Sequence, residues 1–190
     1  KVRLVHTYHG NVFEGYFSNF KNKILILFER FLAKKSTKII AISKLQSHDL
    51  IYKYKICEKE KIEIIPLGFD LNRFTEDKSF KRKKLRKEFN VHDDTILITI
   101  IGRIVPVKNH QLFIDVINYC MNRSSRVIKA LIVGDGSETE KIINYVENNN
   151  LSYSYKVLNK ECDVLFTSWR SDIDSILAAS DIVCLTSLNE

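Results

Sequence analysis

The amino-acid sequence predicts an α/β fold in which parallel strands alternate with helices. Two observations carry this prediction: short runs of β-branched and apolar residues, as at residues 96–101 and 127–133, and the amphipathic stretches with helical spacing that follow them. Strands without polar alternation are typical of parallel sheets that are buried on both faces. Because the β-α-β succession occurs in both halves of the chain, the sequence predicts two doubly wound, Rossmann-like sheets.

In the first half of the chain, three short strands alternate with two helices. The strands are predicted at residues 2–5, 38–43 and 61–66, and the helices at residues 24–35 and 43–54. Ser43 is the expected N-cap of the second helix, because its hydroxyl can accept a hydrogen bond from the first helical turn.

In the second half, four strands alternate with helices. The strands are predicted at residues 96–101, 127–133, 164–166 and 182–185, and the helices at residues 78–89, from 109, from 137 to about 147, and 172–179. Asn109 is the expected cap of one helix, and Ser137 with Glu140 is the expected capping box of another. Residues 151–160 have no regular pattern.

A domain boundary is predicted where Pro66 and Gly68 interrupt the pattern and the composition becomes strongly basic. We expect a first domain at residues 1–68, an interdomain linker at residues 69–76 and a second domain at residues 77–190.

The composition is that of a soluble globular protein, with 45% hydrophobic and 28% charged residues. The longest apolar run falls far short of the ~20 residues that a membrane-spanning helix requires. Cys57, Cys120, Cys162 and Cys184 are widely spaced without a CxxC pair, which favours free thiols in a reducing compartment. Since the chain begins inside a strand-like run and contains one methionine, it is expected to be an internal piece of a longer protein.

The net charge of +7 is concentrated at residues 78–87, where seven of ten residues are Lys or Arg. Nucleic-acid binding is disfavoured as an explanation, because no aromatic platform or recognition motif accompanies the run. Attraction to anionic lipid headgroups is a second explanation. A solvated helix face beside the domain junction is the favoured one, since charge runs are common on exposed helices.

Two cations stand five residues apart between the strand at residues 96–101 and the next helix. Gly102 ends the strand, Arg103 follows it, and Lys108 precedes Asn109 at the start of the helix. Ligands of open α/β sheets bind outside the carboxyl ends of the strands, and a helix N-terminus attracts anions. A guanidinium and an ammonium at this place predict a diphosphate site. The alternative is that both are solvated loop charges.

The motif GRxxxxKN at residues 102–109 resembles the donor-phosphate motif of retaining glycosyltransferases of the GT-B fold, family 4. Residues 65–74, IPLGFDLNRF, resemble the interdomain linker of that family, usually IPNGVDxxxF, with Leu67 and Phe69 as departures. The resemblance covers essentially the whole chain. It implies two Rossmann-like domains that face a cleft, both incomplete here, the first on the acceptor side and the second binding the nucleotide donor.

The resemblance also implies roles for individual residues. Those implied in donor binding are Gly102, Arg103, Lys108, Gly134, Asp135, Gly136, Ser168, Trp169 and Arg170. The family commonly has glycine at the position of Ser168, and the backbone one or two residues later holds the nucleobase. The implied catalytic residues are Arg103, Lys108, His9, which resembles a histidine of the cleft, and Glu190, which resembles the first of two motif glutamates and contacts the donor sugar. The second of these glutamates is absent from the sequence.

Asp172 and Asp174 form a DxD pattern, which binds a metal ion in another class of glycosyltransferase. Here the pair opens a predicted helix, where acidic residues interact favourably with the helix dipole, and capping is the preferred explanation. Neither a metal ion nor a cofactor is therefore expected.

The expected activity is the transfer of a hexose, with retention, from a UDP-, GDP- or ADP-sugar to an acceptor hydroxyl. Expected partners are this donor, a glycan or lipid-linked acceptor and an anionic membrane surface, with no nucleic acid. The family implies a role in bacterial surface polysaccharide or lipopolysaccharide synthesis, in the cytoplasm or peripherally on the inner face of the membrane. Two alternatives stay open: a GT-B-fold epimerase or phosphorylase, and a non-catalytic sugar-nucleotide-binding module. The 190-residue chain by itself is expected to be inactive.

Overall fold

The computed structural model describes residues 2–10, 13 and 19–188. Glu190, one of the predicted catalytic residues, lies outside the described residues. The chain divides into two compact units, with the boundary between Phe69 and Asp70. No helix within the described ranges is long and apolar enough to cross a membrane. All four cysteines are free thiols, as predicted.

Unit 1, the part of the chain up to Phe69, is built on three parallel strands. They are β1 (Val5–Tyr8), β2 (Lys38–Ala41) and β3 (Ile62–Ile64), which lie in that order in the sheet. The helices are α1 (Asn19–Lys35) and α2 (Lys44–His48), followed by a π-helical turn (Asp49–Lys53) and a 3-10 turn (Lys59–Lys61). The Ser43 Oγ accepts a hydrogen bond from the N–H of Gln46 at 3.1 Å, which confirms the predicted N-cap.

The first strand begins later in the chain than predicted. A strand at residues 2–5 is wrong, because pairing with β2 runs from Val5 to Tyr8. The polar groups of β1 find partners on α1: the Tyr8 hydroxyl donates a hydrogen bond to the Glu29 carboxylate at 2.6 Å. These partners are distant in sequence, so the local polarity of residues 6–8 conceals a strand.

Unit 2, which begins at Asp70, contains five strands and five helices in its described residues. The strands are β4 (Ile96–Ile101), β5 (Ile128–Val133), β6 (Tyr153–Tyr155), β7 (Val164–Ser168) and β8 (Ile182–Cys184). The helices are α3 (Asn72–Thr75), α4 (Lys78–Glu88), α5 (His110–Met121), α6 (Thr139–Asn148) and α7 (Ile173–Ala179), with a 3-10 turn (Pro106–Lys108) before α5. The strands form one parallel sheet in the order β6-β7-β5-β4-β8.

Helices cover both faces of this sheet, so the predicted α/β architecture with a doubly wound parallel sheet is confirmed. On one face, α5 and α6 pack against the strands through side chains such as Ile114 and Ile142. On the other face, α4 and α7 do so through side chains such as Leu85 and Ile176. All six residues of β5 are buried, as expected for a central strand with both faces covered.

The edge strand β6 lies within residues 151–160, where the sequence predicts no regular structure. It pairs with β7 over three residues, Tyr153 to Tyr155, and its central residue Ser154 is buried. The Ser154 hydroxyl donates a hydrogen bond to the Val157 carbonyl at 2.8 Å. A strand this short, with a buried polar centre, has too little apolar periodicity to be found from sequence.

Three of the seven cations at residues 78–87 form ion pairs, and one of them, Arg86, is buried. Arg86 is 1% exposed and pairs with Asp181 at 3.2 Å, as Arg82 does at 2.7 Å. Lys81 pairs with Asp174 at 2.9 Å. The favoured explanation, a solvated helix face, is therefore wrong for these three residues, which join α4 to α7 and to the start of β8. The exposed lysines of the helix are Lys78, Lys83, Lys84 and Lys87.

Helix α3 lies within the segment predicted as a linker and packs against α7. The Arg73 guanidinium donates hydrogen bonds to the Asp174 carboxylate at 2.7 Å and to the Ser171 carbonyl at 3.3 Å. From Asp70 onward, the chain therefore belongs to unit 2.

Candidate functional site

The carboxyl end of β4 lies where the order of the strands reverses. From β4 the chain proceeds to β5 and β7 on one side, and it then returns to the other side of β4 as β8. In open α/β sheets, ligands bind outside the carboxyl ends of the strands at such a point. Gly102 and Arg103 follow β4 directly and Lys108 ends the same loop, so all three belong to this edge of the sheet.

Two glycines allow the loops after β4 and β5 to touch through their backbones. A Cβ atom on Gly134 would lie 2.0 Å from the carbonyl oxygen of Gly102, and one on Gly136 would lie 2.3 Å from the carbonyl oxygen of Ile104. Gly134 also has a φ of +136°, which residues with a side chain rarely adopt. These two glycines are therefore required by the contact between the loops, and this contact fixes the backbone around Gly102.

Arg103 and Lys108 have different surroundings. The Arg103 side chain is exposed, and no hydrogen bond or ion pair joins its guanidinium to another of the described residues. The Lys108 side chain is half-buried, and its Cδ and Cε atoms lie 3.9 Å from the point where a Cβ on Gly102 would stand. Lys108 therefore folds back over Gly102, whereas Arg103 extends into solvent.

Helix α5 begins at His110 without the side-chain cap predicted for it. Asn109 occupies the N-cap position, but its backbone is left-handed, with a φ of 49°, and its side chain makes no capping hydrogen bond. The prediction that Asn109 caps this helix through its side chain is therefore wrong. The Asn109 amide does not compete for the first N–H groups of α5, which are the groups that hold anions at helix N-termini.

The segment after β8 returns to the loop that carries Lys108. The Thr186 hydroxyl lies 3.0 Å from the Lys108 carbonyl oxygen and 3.1 Å from that of Asn109, to which it donates. The segment after β8 thus fixes the backbone at Lys108 and Asn109 through the Thr186 hydroxyl.

His110 is a buried polar residue that sequence reasoning missed. It is 2% exposed, and neither ring nitrogen has a hydrogen-bond partner among the described residues. Burial lowers the pKa of His110 to about 4, because the nearby Glu138, which raises it, does not compensate for lost solvation, and Lys108 lowers it further. The imidazole is therefore neutral at pH 7. The one sequence signal that could have pointed to His110 was its position directly after Asn109, the predicted cap of the helix.

The Asp135 carboxylate accepts four hydrogen bonds. Oδ1 receives them from the Thr139 hydroxyl at 2.8 Å and from the Gly136 N–H at 2.9 Å. Oδ2 receives them from the Ser168 hydroxyl at 2.9 Å and from the Tyr155 hydroxyl at 3.1 Å. The hydrogen bond from Thr139 contributes most to holding the pKa of this carboxyl below its usual value. Thr139 and Tyr155 were not predicted, because neither belongs to a recognisable motif.

The predicted capping box of α6 is wrong. The helix begins at Thr139, and Glu138 occupies the N-cap position without a side-chain hydrogen bond. Ser137 and Glu140 do not form the reciprocal pair, because the helix begins one residue later than that pattern requires. Instead, the Thr139 hydroxyl connects the first turn to Asp135 and Gly136.

The residues after β7 form a short loop at the same edge of the sheet. Ser168 has a φ of 61°, a conformation that favours the glycine common at this position in the family. Trp169 is 64% exposed. The Arg170 guanidinium donates hydrogen bonds to Asp172 at 2.6 and 2.8 Å and to Glu88 at 2.6 Å. These hydrogen bonds, chiefly those to Asp172, raise the pKa of Arg170, so its side chain anchors the loop.

The two aspartates of the DxD pattern lie at the start of α7 and form ion pairs there. Asp172 precedes α7 without a capping hydrogen bond and pairs with Arg170 at 2.6 Å. Asp174 pairs with Arg73 at 2.7 Å and with Lys81 at 2.9 Å. The predicted position at the start of the helix is confirmed, with Asp172 at the N-cap and Asp174 in the first turn of α7, whereas a capping hydrogen bond from the Asp172 side chain is wrong. Within the described ranges, no group of three or more His, Cys, Asp or Glu side chains is placed to hold a metal ion.

His9 belongs to unit 1, whereas the other described site residues belong to unit 2. It is exposed, directly after β1, and it lines a cavity of about 290 Å³ together with Ser43 and Asp49. The cavity lies at the carboxyl ends of β1 and β2, where ligands of parallel sheets bind.

Two family models match the chain. The model described as glycosyl transferases group 1 matches residues 81–190, and the one described as glycosyltransferase family 4 matches residues 1–73. Among curated proteins, the UDP-Gal:α-D-GlcNAc-diphosphoundecaprenol α-1,3-galactosyltransferase of Escherichia coli is 29% identical over 98% of the chain. The chain spans 46% of the length of that protein.

Solved structures of glycosyltransferases share the fold. WaaG, a glycosyltransferase involved in lipopolysaccharide biosynthesis, superposes with a TM-score of 0.65 at 20% identity, over 82% of this chain and 39% of WaaG. The pneumococcal O-GlcNAc transferase GtfA, solved in complex with UDP and GlcNAc, superposes with a TM-score of 0.67 at 17% identity, over 99% of this chain and 33% of GtfA.

Proposed function

We propose that this chain, which belongs to the glycosyl transferases of group 1, forms part of an enzyme that transfers a hexose from a nucleoside diphosphate sugar to an acceptor hydroxyl. One observation carries the proposal. Arg103 and Lys108 lie in the loop between β4 and the N-terminus of α5, at the point where the strand order reverses. This edge of the sheet combines two cations with the N–H groups of a helix, which suits a diphosphate.

The cations act on the leaving group. As the bond between the sugar's anomeric carbon and the diphosphate oxygen breaks, its electron pair goes to the diphosphate. The acceptor oxygen bonds to the anomeric carbon, and its proton passes to the departing diphosphate. Arg103, Lys108 and the first N–H groups of α5 stabilise the negative charge that develops on the diphosphate. Each such donor typically contributes about 2.7–4 kcal/mol of transition-state stabilisation. These groups supply the charge neutralisation without a metal ion or a cofactor.

The finer features of the reaction rest on the family resemblance and on relatives. Retention of the anomeric configuration follows from the resemblance to family 4. UDP-sugars are the first donors to test, ahead of GDP- and ADP-sugars, because the E. coli relative is named for UDP-Gal and GtfA was solved with UDP. The name of the same E. coli protein supports a lipid-linked or glycan acceptor in bacterial surface polysaccharide synthesis.

The membrane surface expected from the sequence is better assigned to α1 than to the basic helix α4. Three cations of α4 are held in ion pairs. On α1 the exposed charged side chains are all basic, and exposed apolar side chains recur at helical spacing. The apolar ones are Phe20, Ile24, Leu27, Phe28 and Phe31, and the basic ones are Lys21, Lys23, Lys34 and Lys35. A basic amphipathic surface of this kind suits peripheral attachment to anionic lipid, on the cytoplasmic face.

Donor binding and product analysis on the complete gene product test the proposal. Calorimetric titration with UDP-, GDP- and ADP-sugars identifies the donor, and a radiolabelled donor then reports where the sugar goes. We expect the label in an acceptor glycoside. We also expect NMR to show that the anomeric carbon of this product has the same configuration as in the donor. Label in an epimerised donor or a sugar phosphate would favour an epimerase or phosphorylase, and binding without turnover would favour a non-catalytic module.

A further inference from the structure

We call the carboxyl ends of the unit 2 strands, where Gly102, Arg103 and Lys108 lie, the ligand edge of unit 2. The Asp135 carboxylate connects three elements there. Its partners belong to the start of α6 through Thr139, to the end of β6 through Tyr155 and to the end of β7 through Ser168. The fourth partner is the backbone N–H of Gly136. A carboxylate has about four lone-pair positions, two on each oxygen, and here each oxygen receives two donors. The Lys156 ammonium also lies 3.9 Å from Oδ2. The hydrogen bonds of Asp135 are all to groups of the chain itself, and through them Asp135 can act on a ligand by way of the residues that it holds.

Ser168 is the residue through which Asp135 can influence the loop after β7 and a ligand bound there. Its backbone is left-handed, and its carbonyl oxygen accepts a hydrogen bond from the Gly134 N–H at 2.9 Å. The bond between its hydroxyl and Asp135 holds a non-glycine residue in a conformation that glycine adopts more readily. The side chain is thereby fixed at the junction of β5 and β7.

Trp169 lies between two residues whose side chains are held by hydrogen bonds, Ser168 and Arg170. Arg170, on its far side, is bound to Glu88 and Asp172. The indole between the two anchors is 64% exposed at the carboxyl end of β7. An exposed aromatic ring held on an anchored backbone is a stacking platform for a nucleobase, because every base has an apolar face that stacks on such rings.

We propose that Asp135 is a positioning residue, which sets the affinity for the donor's base by holding Ser168 and so orienting Trp169 for stacking. This inference rests on the proposed function, because it concerns the base of the same nucleotide. It makes the role that the family resemblance implies for Asp135 more specific, from a residue implied in donor binding to a group that acts through Ser168. Affinity for the diphosphate part then depends on the Arg103 and Lys108 loop, and affinity for the base on the loop after β7.

Two ligands separate these contributions: UDP, which carries a base, and inorganic pyrophosphate, which has none. Calorimetry on the complete gene product compares the wild type with Ser168→Ala, which removes the hydroxyl, and with Trp169→Ala. We expect each variant to bind UDP about tenfold more weakly and pyrophosphate as tightly as the wild type. Trp169→Phe, which keeps an aromatic face, is expected to restore most of the UDP affinity. Tyr119→Ala, a change of an aromatic residue 60% exposed near the end of α5, is the control and is expected to leave both affinities unchanged.

Three outcomes would overturn the inference. In the first, Ser168→Ala binds UDP like the wild type. In the second, it loses affinity for UDP and pyrophosphate to the same extent, which would indicate a general structural effect. In the third, Ser168→Ala and Trp169→Ala each weaken UDP binding but their effects add in the double variant, since residues that act through one stacking contact must be non-additive. A wild type that binds none of UDP, GDP and ADP would contradict the proposed function itself, and the inference with it.

Discussion

Arg103 differs from Arg82, Arg86 and Arg170 in what surrounds its guanidinium. Arg82 and Arg86 pair with Asp181, and Arg170 pairs with Glu88 and Asp172. No carboxylate of the described residues pairs with Arg103. An arginine that already has a carboxylate partner gains little from an anionic ligand, whereas an exposed one beside a helix N-terminus gains more. The surroundings of each cation thus separate structural from ligand-binding roles, which the sequence motif alone does not do.

Replacing either Arg103 or Lys108 with alanine is expected to lower kcat on the order of 10²–10³-fold at saturating donor, because one charged donor to the leaving diphosphate is lost. Neither side chain is fully buried, so the unfolding temperature should change little. The measurement is steady-state transfer by the complete gene product, with Lys84→Ala, an exposed lysine of α4, as the control. Normal turnover in both variants would remove these cations from the mechanism.

The buried His110 makes the stability of unit 2 dependent on pH. The pKa of His110 is lowered from 6.5 to about 4 in the folded chain, so below about pH 6.5 the unfolded state binds more protons than the folded state. The free energy of unfolding therefore falls as the pH falls from about 6.5 to 4, by ~3 kcal/mol at most from this residue. Urea unfolding at pH 7.0 and 4.5 measures the loss.

The matched variant for this prediction is His110→Gln, which is polar and does not titrate. The carboxylates contribute equally to the pH dependence of both proteins, so the difference between the two slopes reports His110. We expect the variant to lose less stability between pH 7.0 and 4.5 than the wild type does. Equal losses in the two proteins would show that His110 titrates normally in the folded state.

At the scale of the secondary-structure elements, predictability follows from where each element finds its partners. β4 lies at residues 96–101, as the sequence predicts, because a strand buried on both faces has an unbroken apolar run. β1 and β6 are short and partly polar, and the hydroxyls of Tyr8 and Tyr155 donate to carboxylates about 20 residues away in the chain, those of Glu29 and Asp135. Sequence periodicity reports burial and does not report hydrogen bonds to distant residues.

Helix α4 illustrates the same limit. Its ten-residue basic run suggests an exposed face, yet Arg86 lies inside the unit. Its two terminal nitrogens donate to the Asp181 carboxylate and to three backbone carbonyls, those of Ala179 in α7 and of His92 and Thr95 in the loop before β4, whereas its Nε has no partner among the described residues. A buried charge of this kind becomes predictable only when the fold brings its partners together.

Asp181→Ala is expected to destabilise unit 2 by about 3 kcal/mol, because it leaves the buried Arg86 without its carboxylate. Chemical denaturation of the variant measures the loss. Lys87→Ala, which removes an exposed cation one residue away on the same helix, is the control and should change the free energy of unfolding by less than about 0.5 kcal/mol. If both variants lose equal stability, Arg86 does not depend on its carboxylate.

Helix α1 carries the prediction about membranes. Lys21→Glu with Lys23→Glu is expected to reduce binding to phosphatidylglycerol vesicles tenfold or more, at roughly 1 kcal/mol for each basic charge near an anionic surface. The matched control, Lys83→Glu with Lys84→Glu, makes the same change of charge on α4 and should reduce binding much less. Co-sedimentation of the complete gene product with vesicles tests both. Equal losses would show that attraction depends on net charge alone and not on α1.

For the whole molecule, the α/β fold and the position of the loop between β4 and α5 followed from the sequence, because both depend on local patterns, the apolar runs and the glycine that ends β4. That this loop binds a diphosphate stays a prediction. The hydrogen bonds of Asp135 and the burial of His110 did not follow from the sequence, because Tyr155, Ser168 and Glu138 approach them only in the folded chain. Gly134 and Gly136 show the same limit. The sequence implied that they bind the donor, whereas the structure shows that they pack closely against the backbone of the neighbouring loop, at Gly102 and Ile104.

The central claim is that the loop between β4 and α5 holds the diphosphate of a sugar nucleotide. A crystal structure of the complete gene product with bound UDP tests it most directly. We predict phosphate oxygens within roughly 3.2 Å of the Arg103 guanidinium, the Lys108 ammonium and the first N–H groups of α5. A diphosphate bound elsewhere in the protein, with this loop empty at saturating UDP, would contradict the claim.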